Sequence, residues 1–500
     1  MQHAPASERA PELGNQSLVL KNAALLLIAQ LITTPFAVVV NAVMGRYIGP
    51  AEFGRLYLAQ TFCGFGFLAV EWGQGLNLPA MVAKDRKRAG ELLGSGLTWR
   101  LMVALLATAL LVAGTQIFEQ GDDLALLLPL VALGMTIGTV SNACQETIRG
   151  FERTDVMAFA QVGGQLFTGS VAIAVLLIGG KLRSVLLVQA GCGLVVLSFV
   201  WRALRTVGVG RLAVNGRTLK ELFSGGVPFV MFGLAMQIQP NIDALFMAKL
   251  LPDEVIGWQA AARRLIGVLI FPASAIVTAL YPTLCRLHAE DREGYVRTAR
   301  DAIRTTTVLA VPLALGCFLF PDLGIRIFSR SSFGPAEDNL RVLSGFLFLL
   351  YFSMPLGCAL LAGGKQRAWT TVQITSIVCG TAVNPLLIPW FQRRIGNGGL
   401  GVCFGTLVSE CFMVGLGIWL CPRGLFDRAL MRQIGLAAVA GAAMAAVARL
   451  SGPLTVFVAA PAAVIAYGAC LWLIGGVDKK QLAAFRGMIA RKLAKLQKRE

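Results

Sequence analysis

The sequence predicts an all-α membrane protein with about fourteen transmembrane helices. Three observations point there. Of its 500 residues, 56% are hydrophobic and only 14% are charged, against about 25% charged in a soluble domain. Apolar stretches of about 20 residues recur from Asn22 to Gly475, each long enough to cross ~30 Å of hydrocarbon at 1.5 Å per residue. In lipid each segment must satisfy its own backbone polar groups, which demands helices. The period-2 alternation over ~10 residues that a membrane β-barrel needs is absent.

The expected spans cover 22–45, 55–77, 97–117, 125–148, 158–178, 184–203, 223–247, 257–283, 304–320, 340–361, 369–391, 399–421, 433–450 and 454–475. The polar stretch 1–21 lacks a basic region followed by a cleavage site, so helix 1 itself is expected to direct insertion. Every gap between spans is short, so no soluble domain is expected. Pro35 and Pro240 remove backbone hydrogen bonds from helices 1 and 7 and are expected to allow a bend.

Charge sets the expected orientation. Lys84, Arg86, Lys87 and Arg88, then Arg149 and Arg153, then Arg202, Arg205, Arg211, Arg217 and Lys220 fall on one side. Arg286, Arg292, Arg297, Arg300, Arg304, Lys365, Arg367 and the C-terminal tail join them. That side carries roughly 31 of the 45 basic residues, which makes it cytoplasmic and places both termini there. The net charge of +18 therefore meets anionic headgroups rather than nucleic acid. In the tail from Asp478 to Glu500, Leu482, Phe485, Ile489, Leu493 and Leu496 recur at helical spacing among lysines and arginines. That pattern predicts an amphipathic helix lying on the anionic surface.

The eleven cysteines lie in or at the ends of spans, with no C-x-x-C pair, and His3 and His288 are the only histidines. No metal site, disulfide framework or cofactor is expected. Nucleotide-binding loops, nucleophile elbows and zinc-protease motifs are absent as well. The chain is read as a carrier and not an enzyme.

The chain also repeats itself. Met44 to Gly54 aligns with Met247 to Gly257, with Met on Met, Arg46 on Lys249 and Gly54 on Gly257. Gly150-Phe-Glu-Arg153 echoes Gly364-Lys-Gln-Arg367. Six helices separate the copies, so both halves share one orientation about a pseudo-twofold along the membrane normal. The expected organisation is a tail 1–21, an N-lobe 22–205 of helices 1–6, a basic linker 206–222 and a C-lobe 223–421 of helices 7–12. Helices 13 and 14 (433–475) and the basic tail 476–500 complete it.

Gly45-Arg-Tyr-Ile-Gly-Pro-Ala-Glu-Phe-Gly54, Gln239-Pro-Asn-Ile-Asp243, Gly257 with Ala260-Ala-Ala-Arg-Arg-Leu265, and Asn384-Pro-Leu-Leu-Ile-Pro389 with Gly396, Gly399 and Ser409-Glu410 resemble the oligosaccharide flippases. These are polysaccharide-biosynthesis membrane proteins of the multidrug/oligosaccharidyl-lipid/polysaccharide (MOP) exporter superfamily. The resemblance runs over nearly the whole chain, although Trp258 stands where that family usually has Tyr. It implies two six-helix lobes around a central cavity and alternating access. It also implies a polyprenyl-diphosphate-linked oligosaccharide carried from the cytoplasmic to the outer leaflet of an inner membrane. A polysaccharide polymerase and glycosyltransferases are then the expected functional partners.

Charged residues within spans cost roughly 2.5–3.5 kcal/mol at a helix centre, so they face protein or water. The charged candidates are Glu71, Asp243, Arg263, Arg264 and Glu410, with Arg100 and Glu146 nearer the helix ends, where snorkelling or pairing would also explain them. Arginine suits a diphosphate because its planar fork binds two oxygens at once. Amides suit sugar hydroxyls because they donate and accept; Gln30, Asn41, Gln239, Asn241 and Gln373 are the leading ones, and interhelical bonding is their alternative role. Asp243, Glu71 and Glu410 are the acids available for ion coupling. Asp243 lies ten residues before the 7–8 turn and Arg263 ten after, at matching depth, so the Asp243 carboxylate should lie within ion-pair or one-water reach of Arg263 or Arg264, helix rotation deciding which. Two other readings stay open: a peptidoglycan-precursor flippase or drug/cation antiporter of the same superfamily, and a polyprenyl-linked glycosyltransferase or polymerase. The antiporter would want an acidic, aromatic cavity, and the enzyme a large polar loop.

Overall fold

The computed structural model describes residues 6–117, 122–328, 331–421, 424–451 and 456–476. Side chains are described for the same residues except 6–27, 76, 115–117, 122, 154, 228–229, 231–240 and 456–457. The expected amphipathic tail 478–500 lies outside the described residues.

Among the described residues the chain is helical throughout, with turns between helices and no strand. The helices are α1 (Ala6–Glu71), α2 (Gln74–Lys84), α3 (Ala89–Ile117), α4 (Asp122–Gly150), α5 (Thr154–Leu177), α6 (Leu182–Thr206), α7 (Gly216–Leu250) and α8 (Asp253–Leu269). Then come α9 (Phe271–Glu290), α10 (Arg292–Leu319), α11 (Pro321–Ile325), α12 (Ala336–Ala362), α13 (Gln366–Ile395), α14 (Gly399–Leu420), α15 (Arg428–Leu450) and α16 (Val456–Leu473). Ten of the described helices are long and apolar enough to cross a membrane, or eleven with the bent pair α8–α9 counted as one span.

Three expected boundaries differ. The loop expected between spans 1 and 2 is a single kink: α1 runs through it, broken only at Gly49, with φ 80° and ψ 172°. Gly reaches that left-handed φ without strain, and Pro50 just beyond it suits the first turn of a resumed helix. Pro35 causes no such break. Span 2 ends at Glu71, where Trp72 (φ 43°) and Gly73 (φ 67°) turn the chain into α2. The eighth span bends by 41° between α8 and α9, at Ile270 just before Pro272.

Polar N-caps start α7, α10 and α15. Asn215 accepts from Arg217 N at 3.0 Å, Asp291 from Gly294 N at 2.9 Å and Asp427 from Leu430 N at 2.8 Å. Each such cap is worth about 1 kcal/mol.

The helices pack as two compact units. The first comprises Met1–Arg264, Ile327–Phe333 and Asn384–Val402; the second comprises Leu265–Arg326, Gly334–Val383 and Cys403–Glu500. In the first, α3, α4, α5 and α6 bury a core around Leu93, Cys144, Ile148, Ala160 and Val200. In the second, α9, α10 and α12 surround Leu284, Tyr295, Ile303 and Leu356, and α15 and α16 close on Val311 through Ala440, Met444 and Tyr467.

Candidate functional site

The first unit holds a polar cavity of about 360 Å³. Its walls are Tyr57, Gln60, Thr61 and Gly64 from α1, Asn241 from α7, and Arg263 and Arg264 from α8. The two arginines are adjacent, so their side chains leave α8 about 100° apart and meet different partners.

Arg263 turns toward Asp243, with Nη1 3.9 Å from Oδ2. Asp243 is 2% exposed, and its other oxygen accepts from Asn384 Nδ2 at 2.8 Å. Of the two arginines expected within reach of Asp243, Arg263 is the one that pairs with it, and Asn384 shares in the contact. Arg264 turns the other way. Its Nη2 donates to Gln60 Oε1 at 2.5 Å, and its guanidinium carbon lies 5.3 Å from the centre of the Phe53 ring. Its Nε is buried and has no hydrogen-bond partner. A guanidinium with a donor still to satisfy, beside a polar cavity, is suited to an oxyanion.

Close backbone contacts flank the cavity along α1. At one end, a Cβ added to Gly54 would sit 2.1 Å from Asp253 O, and one added to Gly257 would sit 1.9 Å from Pro50 O. The two repeat segments thus pack on each other through their matched glycines, where only glycine permits the approach. Arg55 ties that end together: Nε to Asp253 at 2.6 Å, Nη1 to Asp123 at 2.7 Å and to Glu52 at 3.3 Å. Arg183 also reaches Asp123, at 3.3 Å. At the other end Trp72 stacks on Phe223 with centroids 4.5 Å apart, and Trp99 meets both edge-on. A Cβ on Gly226 there would lie 2.1 Å from Trp72 O. Arg88 bonds Glu221 at 3.0 Å and Thr218 at 2.9 Å beyond it.

The remaining predicted residues are scattered. Gln30 is exposed on α1, and Asn41 spends its amide on Ala37 O of its own helix at 2.7 Å. The Gln239 side chain lies outside the described residues. Gln373 is half-buried on α13 in the second unit, and Glu71 is half-buried at the end of α1. Glu410, buried on α14, is hydrogen-bonded by Ser353. Arg100 is fully buried and answered on every side: Gln74 at 3.0 Å, Thr139 O at 2.7 Å and Glu146 at 2.5 Å. That is a structural staple, paired as the sequence allowed.

Sequence reasoning overlooked Tyr57, Gln60 and Thr61. A signal existed: the shift that lays Gly54 on Gly257 also lays Gln60 on Arg263 and Thr61 on Arg264. Extending the repeat seven residues beyond Gly54 would have found them.

The polysaccharide biosynthesis protein family model matches residues 19–288, which include every residue lining the cavity. The chain belongs to that family, within the MOP exporter superfamily. A second model, MatE, matches residues 228–386. Among solved structures, a lipid II flippase, MurJ, in an inward closed conformation superposes with TM-score 0.70 at 12% identity, covering 89% of this chain and 98% of that one. An inward-facing multidrug resistance MATE family transporter of the MOP superfamily gives TM-score 0.64 at 16% identity, over 81% of this chain and 99% of that one. At these identities the likeness is one of fold. Protein DETOXIFICATION 44, chloroplastic, of Arabidopsis thaliana is 23% identical over 228 residues, 42% of each chain. The match thus spans less than half the length of that curated relative.

Proposed function

We propose that this protein is a flippase that moves a lipid-linked oligosaccharide, carried on a polyprenyl diphosphate, from the cytoplasmic to the outer leaflet by alternating access. The product would feed a surface polysaccharide such as an O-antigen, a capsule or an exopolysaccharide. The observation that carries the reading is Arg264, fixed by Gln60 and Phe53 with Nε unsatisfied beside the cavity. A diphosphate supplies oxygens that accept hydrogen bonds from this guanidinium, and Tyr57, Gln60, Thr61 and Asn241 offer hydroxyls and amides to sugar. The close glycine contacts that flank the cavity along α1 fit a carrier whose cavity opens to one side at a time.

On this reading the membrane is an inner membrane with the basic side and both termini cytoplasmic. Anionic lipids meet that side, and glycosyltransferases and a polymerase act before and after transport. Asp243, Glu71 and Glu410 are the acids through which an ion gradient would couple.

Two arms test the proposal. In cells, Arg264→Ala or Arg263→Ala protein that still inserts should let lipid-linked glycan accumulate on the cytoplasmic leaflet. Arg264→Lys should restore part of the export, since it keeps the charge and loses the fork. Full export by the double alanine variant would refute a cationic substrate site. The MatE match favours a second reading, a drug/cation antiporter. Proteoliposomes offered a lipid-linked oligosaccharide, a peptidoglycan precursor or a cationic dye separate the three, and dye movement alone would select the antiporter.

A further inference from the structure

We propose that Glu410 is a proton-carrying site of the second unit, whose proton leaves and returns as Ser353 changes its hydrogen-bond acceptor. This deepens the transport reading above, on which its role in the working cycle rests.

Glu410 on α14 is 4% exposed and Ser353 on α12 is 2% exposed. Asp243, the other buried acid of the described spans, has an arginine in Arg263, and half-buried Glu146 has one in Arg100. Glu410 has none among the described residues, and its one hydrogen-bond partner is a hydroxyl. A bare carboxylate in an apolar span is costly, so a proton or a cation must accompany it. A single carboxyl and a single hydroxyl supply too few oxygens for a metal cation, which takes six or more when hard. They suffice for a proton.

The hydrogen bonds support the same conclusion. Ser353 Oγ lies within bonding distance of two acceptors, Glu410 Oε1 and the Leu350 carbonyl at 3.3 Å. A hydroxyl has one proton and donates once. Both contacts are satisfied together only when the carboxyl supplies the second proton, so that Glu410 O–H donates to Ser353 and Ser353 donates to Leu350 O. When the proton departs to solvent, the carboxylate is left with the bonding electron pair, and Ser353 rotates to donate to it. Nothing else changes charge. The titratable group facing Glu410 on its own helix is Cys411. From α12 the facing group is Ser353, and α13 meets α14 through Gly380 against Gly405 and Ser409, none of them titratable. Proton loss therefore alters one α12–α14 contact, which gives a switch inside the second unit.

The test uses the full-length protein in lipid nanodiscs and dicyclohexylcarbodiimide, which adds to protonated carboxyls in apolar surroundings. Peptide mass spectrometry should place the adduct on Glu410, with reactivity falling about tenfold per pH unit once the acid dissociates. Glu410→Gln should lose that adduct, and the infrared carboxylic-acid carbonyl band of the unreacted protein should vanish with it. Ser353→Ala should keep the adduct and move the pH at which it is lost. No adduct at Glu410 at any pH, together with no acid band sensitive to Glu410→Gln, would overturn the proposal. An unchanged pH profile in Ser353→Ala would overturn the exchange with Ser353. In proteoliposomes, Glu410→Gln should abolish the response of transport to a proton gradient, and an intact response would remove Glu410 from the cycle. None of the chemical readouts needs substrate, so failure of the glycan reading would show as absent glycan movement with the adduct still present.

Discussion

At the residue scale, the two neighbouring arginines do different work, and the difference is measurable. Arg263 answers Asp243, which is buried and held on its other side by Asn384. Truncating Arg263 leaves a buried carboxylate without its counter-charge. Removing one member of a fully buried pair costs about 3–5 kcal/mol. Arg263 is 29% exposed and 3.9 Å away, so screening brings the expectation nearer 1–2 kcal/mol. Arg263→Met should therefore lower thermal stability in detergent. Adding Asp243→Asn should recover most of the loss, because the orphaned charge goes with it. Arg264→Met leaves no such orphan, since Gln60 is neutral, and should alter substrate binding more than melting temperature. If Asp243→Asn deepened the loss in Arg263→Met, the pair would not be the reason for either residue.

At the element scale, the matched glycines matter more than any side chain at the ends of α1. Gly257→Ala would push Cβ into Pro50 O, and Gly226→Ala would push it into Trp72 O, both backbone atoms that cannot swing aside. Each substitution should loosen its own end and leave the other shut. With Thr61→Cys as a reporter in the cavity wall, an impermeant maleimide should label Gly226→Ala protein from the Trp72 end and Gly257→Ala protein from the Arg55 end. Identical labelling in both would mean that these contacts do not gate the cavity. The contacts also show what was legible in advance. Length and hydropathy located the spans, because a helix in lipid has little freedom to be anything else. The repeat was visible through Gly54 and Gly257, yet it read as two separate loops. That the copies touch each other follows from α1 continuing past Gly49 instead of looping, and Gly-Pro by itself signals a turn as readily as a kink. The charged cavity residues were found because charge in a span is conspicuous. Gln60 was overlooked because a lone amide has many structural uses, and its value comes from Arg264 lying against it.

At the scale of the whole molecule, charge asymmetry is the property from which direction of transport is argued. Arg211 in the connection between α6 and α7 stands between Arg205 at the end of α6 and Arg217 at the start of α7, while Lys181 ends the turn between α5 and α6, beside Arg183 in the first turn of α6 against Asp123. Each cation near an anionic leaflet gains about 1 kcal/mol, and loops rich in unpaired cations resist translocation. Arg183 is already answered by Asp123, and that end gathers Glu52, Asp123 and Asp253 around Arg55. It is consequently near neutral, whereas the other end stays strongly basic. Val214 and Lys181 are both exposed and stand on the two sides. In intact cells stripped of an outer barrier, Lys181→Cys should react with an impermeant maleimide, and Val214→Cys should react only after lysis. Because Asn215, next to Val214, bonds Glu91 beside the Arg88–Glu221 contact, this result would also place the Trp72 seam on the cytoplasmic side, the side from which the proposed function loads its substrate. The Gly54–Gly257 seam would then be the exit. The reverse labelling would turn the carrier around and make the same cavity an importer's, which the proposed function does not survive.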